Sequence, residues 1–248
     1  MLISVPNVSE GRDQAKLDRI AASFEPVYWS SDADHNRAVF TLTGEPGQLH
    51  QQVLAGARVV LDEIDLTLHR GLHPRVGALD VAPIVYLDPA DKGAAVAEAL
   101  VLADELGRLG IPVYLYGELA DGRTRAELRK PGGLANFTPD FGPHTLHPTA
   151  GATLVAARPP LVAFNVEIDA PLEVAKAIAR TLRTELDVRA LGLPLSSTSP
   201  ALGGQSPAII EISVVFPAPL YPTIATNSPR PTLRLTLWST SVRPSPRP

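Results

Sequence analysis

One helical stripe constrains this chain more than any other feature. Behind Pro46, residues Leu49, Val53, Leu54, Ala57, Val60, Leu61 and Ile64 recur at helical spacing. That spacing predicts an amphipathic helix over 46–64, with the proline at its start and one apolar side to cover. The flanking runs alternate as strands do: 38–43 ("AVFTLT") before the helix and 78–87 after it. The same alternation recurs on both sides. A short buried strand is expected over 2–6, then a helix that Ser9 would cap, with Leu17, Ile20, Ala21 and Phe24 on one face. A strand is expected over 27–30. Pro89 opens a further helix to Leu106, Gly110 stops it, and "IPVYLYG" (111–117) returns as a strand.

The order β-α-β-β-α-β-α-β contains the split βαβ pattern of ferredoxin-like folds. The chain is therefore read as α+β, with helices covering one face of a mostly antiparallel sheet. A loop-rich stretch, 121–148, follows. "GATLVAARPPLVAFNVEI" (151–168) then suggests two strands around Pro159 and Pro160, followed by a helix over 171–186 carrying Val174, Ile178, Leu182 and Leu186, and by a strand in "VRALGLPL". A second, similar unit is thus expected to begin near residue 144.

The composition changes after residue 193. From Pro194 onward there are 11 prolines and 15 serines or threonines in 55 residues. Residues 1–193 carry 18 basic and 25 acidic groups, whereas 194–248 carry four and one. The helical period is lost there. "AIIEISVVF" and "TLRLTLWSTSV" still alternate as strands do, but prolines bracket both, and "RPSPRP" has the composition of a segment without a packed core. The expected organisation is two ferredoxin-like α/β subdomains, 1–143 and 144–196, the second incomplete, and a divergent Pro/Ser/Thr-rich tail, 197–248.

Composition excludes several classes. No apolar run reaches the roughly 18 residues of a membrane span, and the start lacks a basic segment followed by an apolar one, so a cytoplasmic protein is expected. The absence of cysteine excludes disulfides and thiolate chemistry. A net charge of −4, without a basic stripe interleaved with aromatics, does not favour a nucleic-acid partner.

The densest chemistry lies in "HRGLHPRVGALD", residues 69–80. A metal site would need His69 and His73 on one helical face, but Gly71 between them and Pro74 after them oppose a helix. Two readings remain from the residues: a polar loop with exposed histidines, or a proton-transfer site in which histidine titrates near neutrality and Arg75 grips a carboxylate. On the proton-transfer reading Gly71 and Gly77 would let substrate approach the backbone; Arg75 could instead pair structurally with Asp80.

Six segments, in order, carry a family resemblance: "VPNVSEGRD" (5–13), "DADHNRAVFTLTGEP" (32–46), "HRGLHPRVGALDVAPIVYL" (69–87), "IPVYLYGELA" (111–120), "PDFGP" (139–143) and "GATLVAARPPLVAFNVEI" (151–168). Together they closely resemble the formiminotransferase domain, or glutamate formimidoyltransferase, found as the N-terminal part of formiminotransferase-cyclodeaminase. The likeness covers about residues 2–195. It implies two ferredoxin-like subdomains with folate bound in a groove between them, and a homodimer. It also implies transfer of a formimino group from N-formimino-L-glutamate to tetrahydrofolate as co-substrate, in histidine breakdown. The family's "HPR" histidine maps onto His73 as catalytic acid–base. Its supporting aspartate falls on Asp32 or Asp34, with Asp32 favoured.

The chemistry suits these groups. The folate nitrogen attacking the amidine carbon must lose a proton, and glutamate's nitrogen must gain one to leave. One histidine can serve both steps, and no metal is required. A carboxylate would stabilise the protonated amidine, while Arg75 and Arg37 would hold substrate carboxylates. Asn7 and Asn165 are further candidates for binding folate. The plainer alternatives are that Asp32 or Asp34 caps a turn, that Asn7 and Ser9 cap the first helix, and that Asn165 is a satisfied core amide. Formyl transfer between glutamate and folate would use the same contacts. A catalytically weak folate-binding relative is the other class, favoured by the departure after residue 196.

Overall fold

The computed structural model describes residues 1–168, 170–185, 189–194, 208–215 and 234–236. The chain divides into two compact units, 1–159 and 160–248.

The first unit contains strands β1 (Leu2–Ser4), β2 (Asn7–Val8), β3 (Tyr28–Asp32), β4 (Arg37–Gly44), β5 (Leu79–Tyr86), β6 (Val113–Leu115) and β7 (Thr153–Arg158). Its helices are α1 (Gln14–Phe24), α2 (Leu49–Glu63), α3 (Lys92–Arg108) and the short α4 (Arg125–Arg129). The strands form one sheet in the order β1-β4-β2-β5-β7-β6, with β3 on β4. Pairings among β1–β5 are antiparallel, whereas β7 runs parallel to both β5 and β6. The strand read from the sequence as opening the second subdomain therefore belongs to the first sheet, and the break falls after Pro159 rather than at 143. The reason is tertiary: β7 fills the gap between two strands that the chain had laid down far earlier, which local alternation does not reveal.

The helices cover one sheet face. Leu17, Ile20 and Phe24 of α1, Val53, Ala57 and Val60 of α2, and Ala99, Leu102 and Leu106 of α3 share one core with Phe40, Leu42, Ile84 and Val155. Phe40 stacks on Trp29 and meets Phe24 with ring centroids 5.1 Å apart. On the opposite face Val81, Tyr114, Tyr116, Leu154 and Ala156 form a second cluster with Leu128 of α4.

Two helix starts differ from expectation. Asp13, not Ser9, caps α1 by accepting from the Lys16 N–H, while the Ser9 hydroxyl donates to the Gly77 carbonyl at 2.7 Å. Helix α2 begins at Leu49, a turn after Pro46, with no side-chain cap of its own. Buried Glu98 of α3 supplies it, accepting from the N–H groups of Gly47 (2.6 Å) and His50 (2.7 Å) and pairing with the His50 ring at 2.8 Å. Burial opposes the charge on Glu98, but these bonds outweigh it and hold the carboxyl below its usual range. Replacing Glu98 by alanine strands these donors and is expected to cost about 2–3 kcal/mol in chemical denaturation.

The second unit contains strands β8 (Leu161–Ile168), β9 (Arg189–Pro194), β10 (Ala208–Val215) and β11 (Arg234–Thr236), and helix α5 (Leu172–Glu185). The sheet order is β11-β8-β10-β9, antiparallel throughout. Strands β10 and β11 fall in the two tail segments that alternated. Helix α5 buries Ala175 and Ala179, whereas Val174 and Ile178 of the expected stripe stay 43% and 38% exposed. The small side matches a close approach: a Cβ on Gly192 of β9 would lie 2.7 Å from the Ala175 carbonyl carbon. Residues 195–207, 216–233 and 237–248, which hold most of the Pro/Ser/Thr-rich tail, lie outside the described residues.

Candidate active site

Three loops, a strand and a short helix converge on His73. The β3–β4 hairpin is the first. Asp32 faces Arg37 across its mouth, and Oδ1 of Asp32 accepts from the N–H groups of Asp34 (2.9 Å) and His35 (2.8 Å), which folds the chain back. Asn36 closes the turn with φ of 50°, a left-handed conformation that asparagine tolerates. Its side chain accepts from the Gly11 N–H and donates to the Arg70 carbonyl, both at 2.9 Å, and its own carbonyl accepts from His69 Nε2 at 2.9 Å. This one buried residue ties the 9–12 loop and the 69–75 loop to the hairpin.

The 69–75 segment is an irregular loop. Its histidines are not exposed: His69 and His73 are 7% and 6% accessible. Gly71 does admit a close approach, but to protein, since a Cβ there would lie 2.4 Å from the His35 carbonyl oxygen. Gly77 likewise lies against the Ala152 carbonyl. Arg75 holds the loop by donating to the carbonyls of His69 (3.2 Å), Gly71 and His73 (both 3.4 Å).

His73 sits among cations. Arg37 Nη1 stands 2.6 Å from His73 Nε2. A guanidinium only donates, so Nε2 carries the lone pair and Nδ1 the proton. A ring N–H of His73 also bonds the Pro74 carbonyl. Burial first, then Arg37, Arg129 and His35, push its proton affinity far below the ordinary histidine value, so the ring is neutral at physiological pH. Burial also lowers His69, whose Nδ1 lacks a hydrogen-bond partner among the described residues.

Asp80 occupies a kink in β5. The residues opposite Asn7 and Val8 are Val81 and Leu79, so Asp80 is the extra residue of a β-bulge. The bulge puts Leu79 and Val81 in the two opposite clusters. Asp80 Oδ1 accepts from the Val76 N–H at 2.6 Å, and Oδ2 pairs with Arg129 of α4. The expected alternative pair, Arg75 with Asp80, is thus replaced by Arg129.

Of the residues singled out by the sequence, His73, Arg37 and Arg75 line one small cavity together with His35 and Asp80. Asp32 reaches it through His35, whose Nδ1 lies 3.0 Å from Asp32 Oδ2. That contact leads the causes that hold the Asp32 carboxyl down to about 2. Asp32 also closes the turn, so the plain and functional readings hold together, whereas Asp34 is exposed. Half-buried Asn7 lies in β2 opposite Val39, on the sheet face that Arg37 shares two residues away, and caps no helix. Asn165 lies in β8 of the second unit, paired with Glu211 and Thr236; its side chain is outside the described ones. Sequence reasoning passed over His35, Asn36 and Arg129. No group of three or more His, Asp or Glu side chains suited to a metal occurs among the described residues. No described helix is long and apolar enough to cross a membrane.

This α+β architecture with a histidine–arginine cluster has a family. Residues 1–158 match the formiminotransferase domain, N-terminal subdomain. The chain is 37% identical over 198 residues to a glutamate formimidoyltransferase of Streptococcus pyogenes, covering 72% of this chain and 66% of that protein. It is 35% identical over 202 residues to the enzyme of that name from Thermoplasma acidophilum, again covering 66% of it. With the formimidoyltransferase-cyclodeaminase of Mus musculus it shares 37% identity over 203 residues, which is 37% of that protein's length. The chain belongs to the formiminotransferase family. It spans just under two thirds of the single-function relatives and just over a third of the bifunctional one.

Proposed function

We propose that this chain transfers a formimino group from N-formimino-L-glutamate to tetrahydrofolate, yielding 5-formiminotetrahydrofolate and glutamate. The observation that carries the reading is a buried, neutral His73 whose Nε2 lone pair faces Arg37 in a cavity that Arg75 also lines. A neutral imidazole can take a proton, and two cations beside it suit substrates that carry carboxylates. When Arg37 turns to a substrate carboxylate, Nε2 is released toward the reacting centre. It takes the proton that the attacking folate nitrogen loses as the new C–N bond forms. It returns that proton to the glutamate nitrogen as the old C–N bond breaks, so the ring ends neutral.

Asn7 and Asn165 are proposed to bind folate, and a cytoplasmic homodimer in histidine breakdown is the proposed setting. The reaction as written uses tetrahydrofolate as co-substrate and no metal. The test pairs two donors. With tetrahydrofolate present, N-formimino-L-glutamate should release glutamate faster than N-formyl-L-glutamate. The reverse order would make the chain a formyltransferase. Release from neither, by folded protein that still binds folate, would leave a binding-only relative.

A further inference from the structure

Proton transfer at His73 leaves the other buried histidine of its loop, His69, without a task. The His69 ring has a single polar partner among the described residues: Nε2 meets the Asn36 carbonyl at 2.9 Å, while Nδ1 has none. A carbonyl only accepts, so Nε2 carries the proton. The ring is a strut that ends on the β3–β4 hairpin.

The hairpin turn grips each residue from 69 to 72. The Asn36 carbonyl takes His69, the Asn36 side-chain amide donates to the Arg70 carbonyl at 2.9 Å, and the Asp34 carbonyl accepts from the Leu72 N–H at 3.3 Å. Between these bonds, a Cβ on Gly71 would strike the His35 carbonyl oxygen and lie 2.9 Å from the Asn36 Cβ, so glycine is what lets the two segments close. The next residue of the loop is His73, and the next residue of the hairpin is Arg37, whose Nη1 stands 2.6 Å from His73 Nε2. Asn36 is itself anchored. It is 7% accessible, its Oδ1 accepts from the Gly11 N–H at 2.9 Å, and its φ of 50° is one that most side chains avoid.

We propose that Asn36 is a positioning residue for the transfer: with His69 and Gly71 it clasps the 69–72 chain to the hairpin and so sets where the His73 ring stands. This rests on the transfer reading above. The Asn36 amide faces Gly11 and Arg70, so it acts through the loop and not on the substrate. His69 serves the clasp and takes no part in moving the proton. Opening the clasp displaces His73 from the reacting nitrogens, and a displacement of about 1 Å can cost about 100-fold in rate.

Asn36→Gly removes the side chain alone, because glycine keeps the left-handed turn and the main-chain carbonyl. Its kcat with N-formimino-L-glutamate and tetrahydrofolate is expected to fall about 10–100-fold. Asn36→Ala should lose kcat to the same degree, although alanine strains the turn and lowers the melting temperature further. A residue that only shapes the turn would behave otherwise, with Asn36→Gly near wild type and Asn36→Ala impaired. A second readout needs no turnover. By NMR, the His69 ring N–H should exchange slowly with solvent in the wild-type protein and several-fold faster in Asn36→Gly, where its acceptor is still present. A wild-type kcat in Asn36→Gly, a loss confined to Asn36→Ala, or unchanged exchange of the His69 proton would each overturn the proposal. A wild-type chain without any turnover would instead overturn the transfer reading, and the exchange measurement alone would then decide the clasp.

Discussion

Replacing Asp80 by alanine should lower the unfolding free energy by about 3–5 kcal/mol, because it leaves a largely buried cation without its counter-charge. The Asp80 side chain is 3% accessible and that of Arg129 12%. Arg129 Nε already lacks a hydrogen-bond partner among the described residues, so little compensation is at hand. The change also removes the acceptor of the Val76 N–H, three residues before β5 in the segment that follows His73. Asp80→Asn keeps that acceptor and should cost less. Urea unfolding of the three proteins checks the order. A loss under about 1 kcal/mol in the alanine variant would mean that the ion pair barely outweighs its desolvation.

The second large effect is on His73, and its two consequences have opposite signs. His73→Gln should lower kcat by about 10²–10⁴-fold, the range of general acid–base catalysis. The same substitution should make the fold more tolerant of acid. The unfolded chain protonates this residue near 6.5, whereas in the folded chain burial and two arginines hold it far lower. Its contribution is therefore fully present above about pH 6.5 and is lost as the pH falls, at about 1.4 kcal/mol per pH unit below that. His69, lowered mainly by burial, adds to the loss with the same sign. His73→Gln removes the larger share. Chemical denaturation at pH 5 and 7.5 reads the difference, and a variant with the wild-type pH slope would place the neutral histidine elsewhere.

The helices were legible because their stripes are long: Leu17, Ile20 and Phe24, and Leu49, Val53, Ala57 and Val60, lie buried at the predicted spacing, with Ala21, Leu54 and Leu61 half-buried beside them. What local pattern could not carry was pairing at a distance. Strand β7 inserts between β5 and β6, and Glu98 reaches across from α3 to start α2. Neither leaves a mark in a window of ten residues. Within the site, His73, Arg37 and Arg75 stand in two short motifs and were found there. Arg129 was not, since 49 residues separate it from Asp80 and only the fold joins them. His35 did leave a signal. In "DADHNR" an aspartate precedes a histidine by three residues across a turn, the spacing at which an Asp side chain closes the turn and meets the ring. The Asp80 bulge left none, because "ALDVAPIVY" alternates no differently from an unkinked buried strand.

The most direct test of the account is glutamate release by the purified 248-residue chain, measured with N-formimino-L-glutamate in the presence and absence of tetrahydrofolate. The account predicts release that requires the folate, is stoichiometric with the 5-formiminotetrahydrofolate formed, and is abolished or nearly so in His73→Gln at unchanged folate affinity. Release at the same rate without folate, or undiminished in His73→Gln, would contradict it.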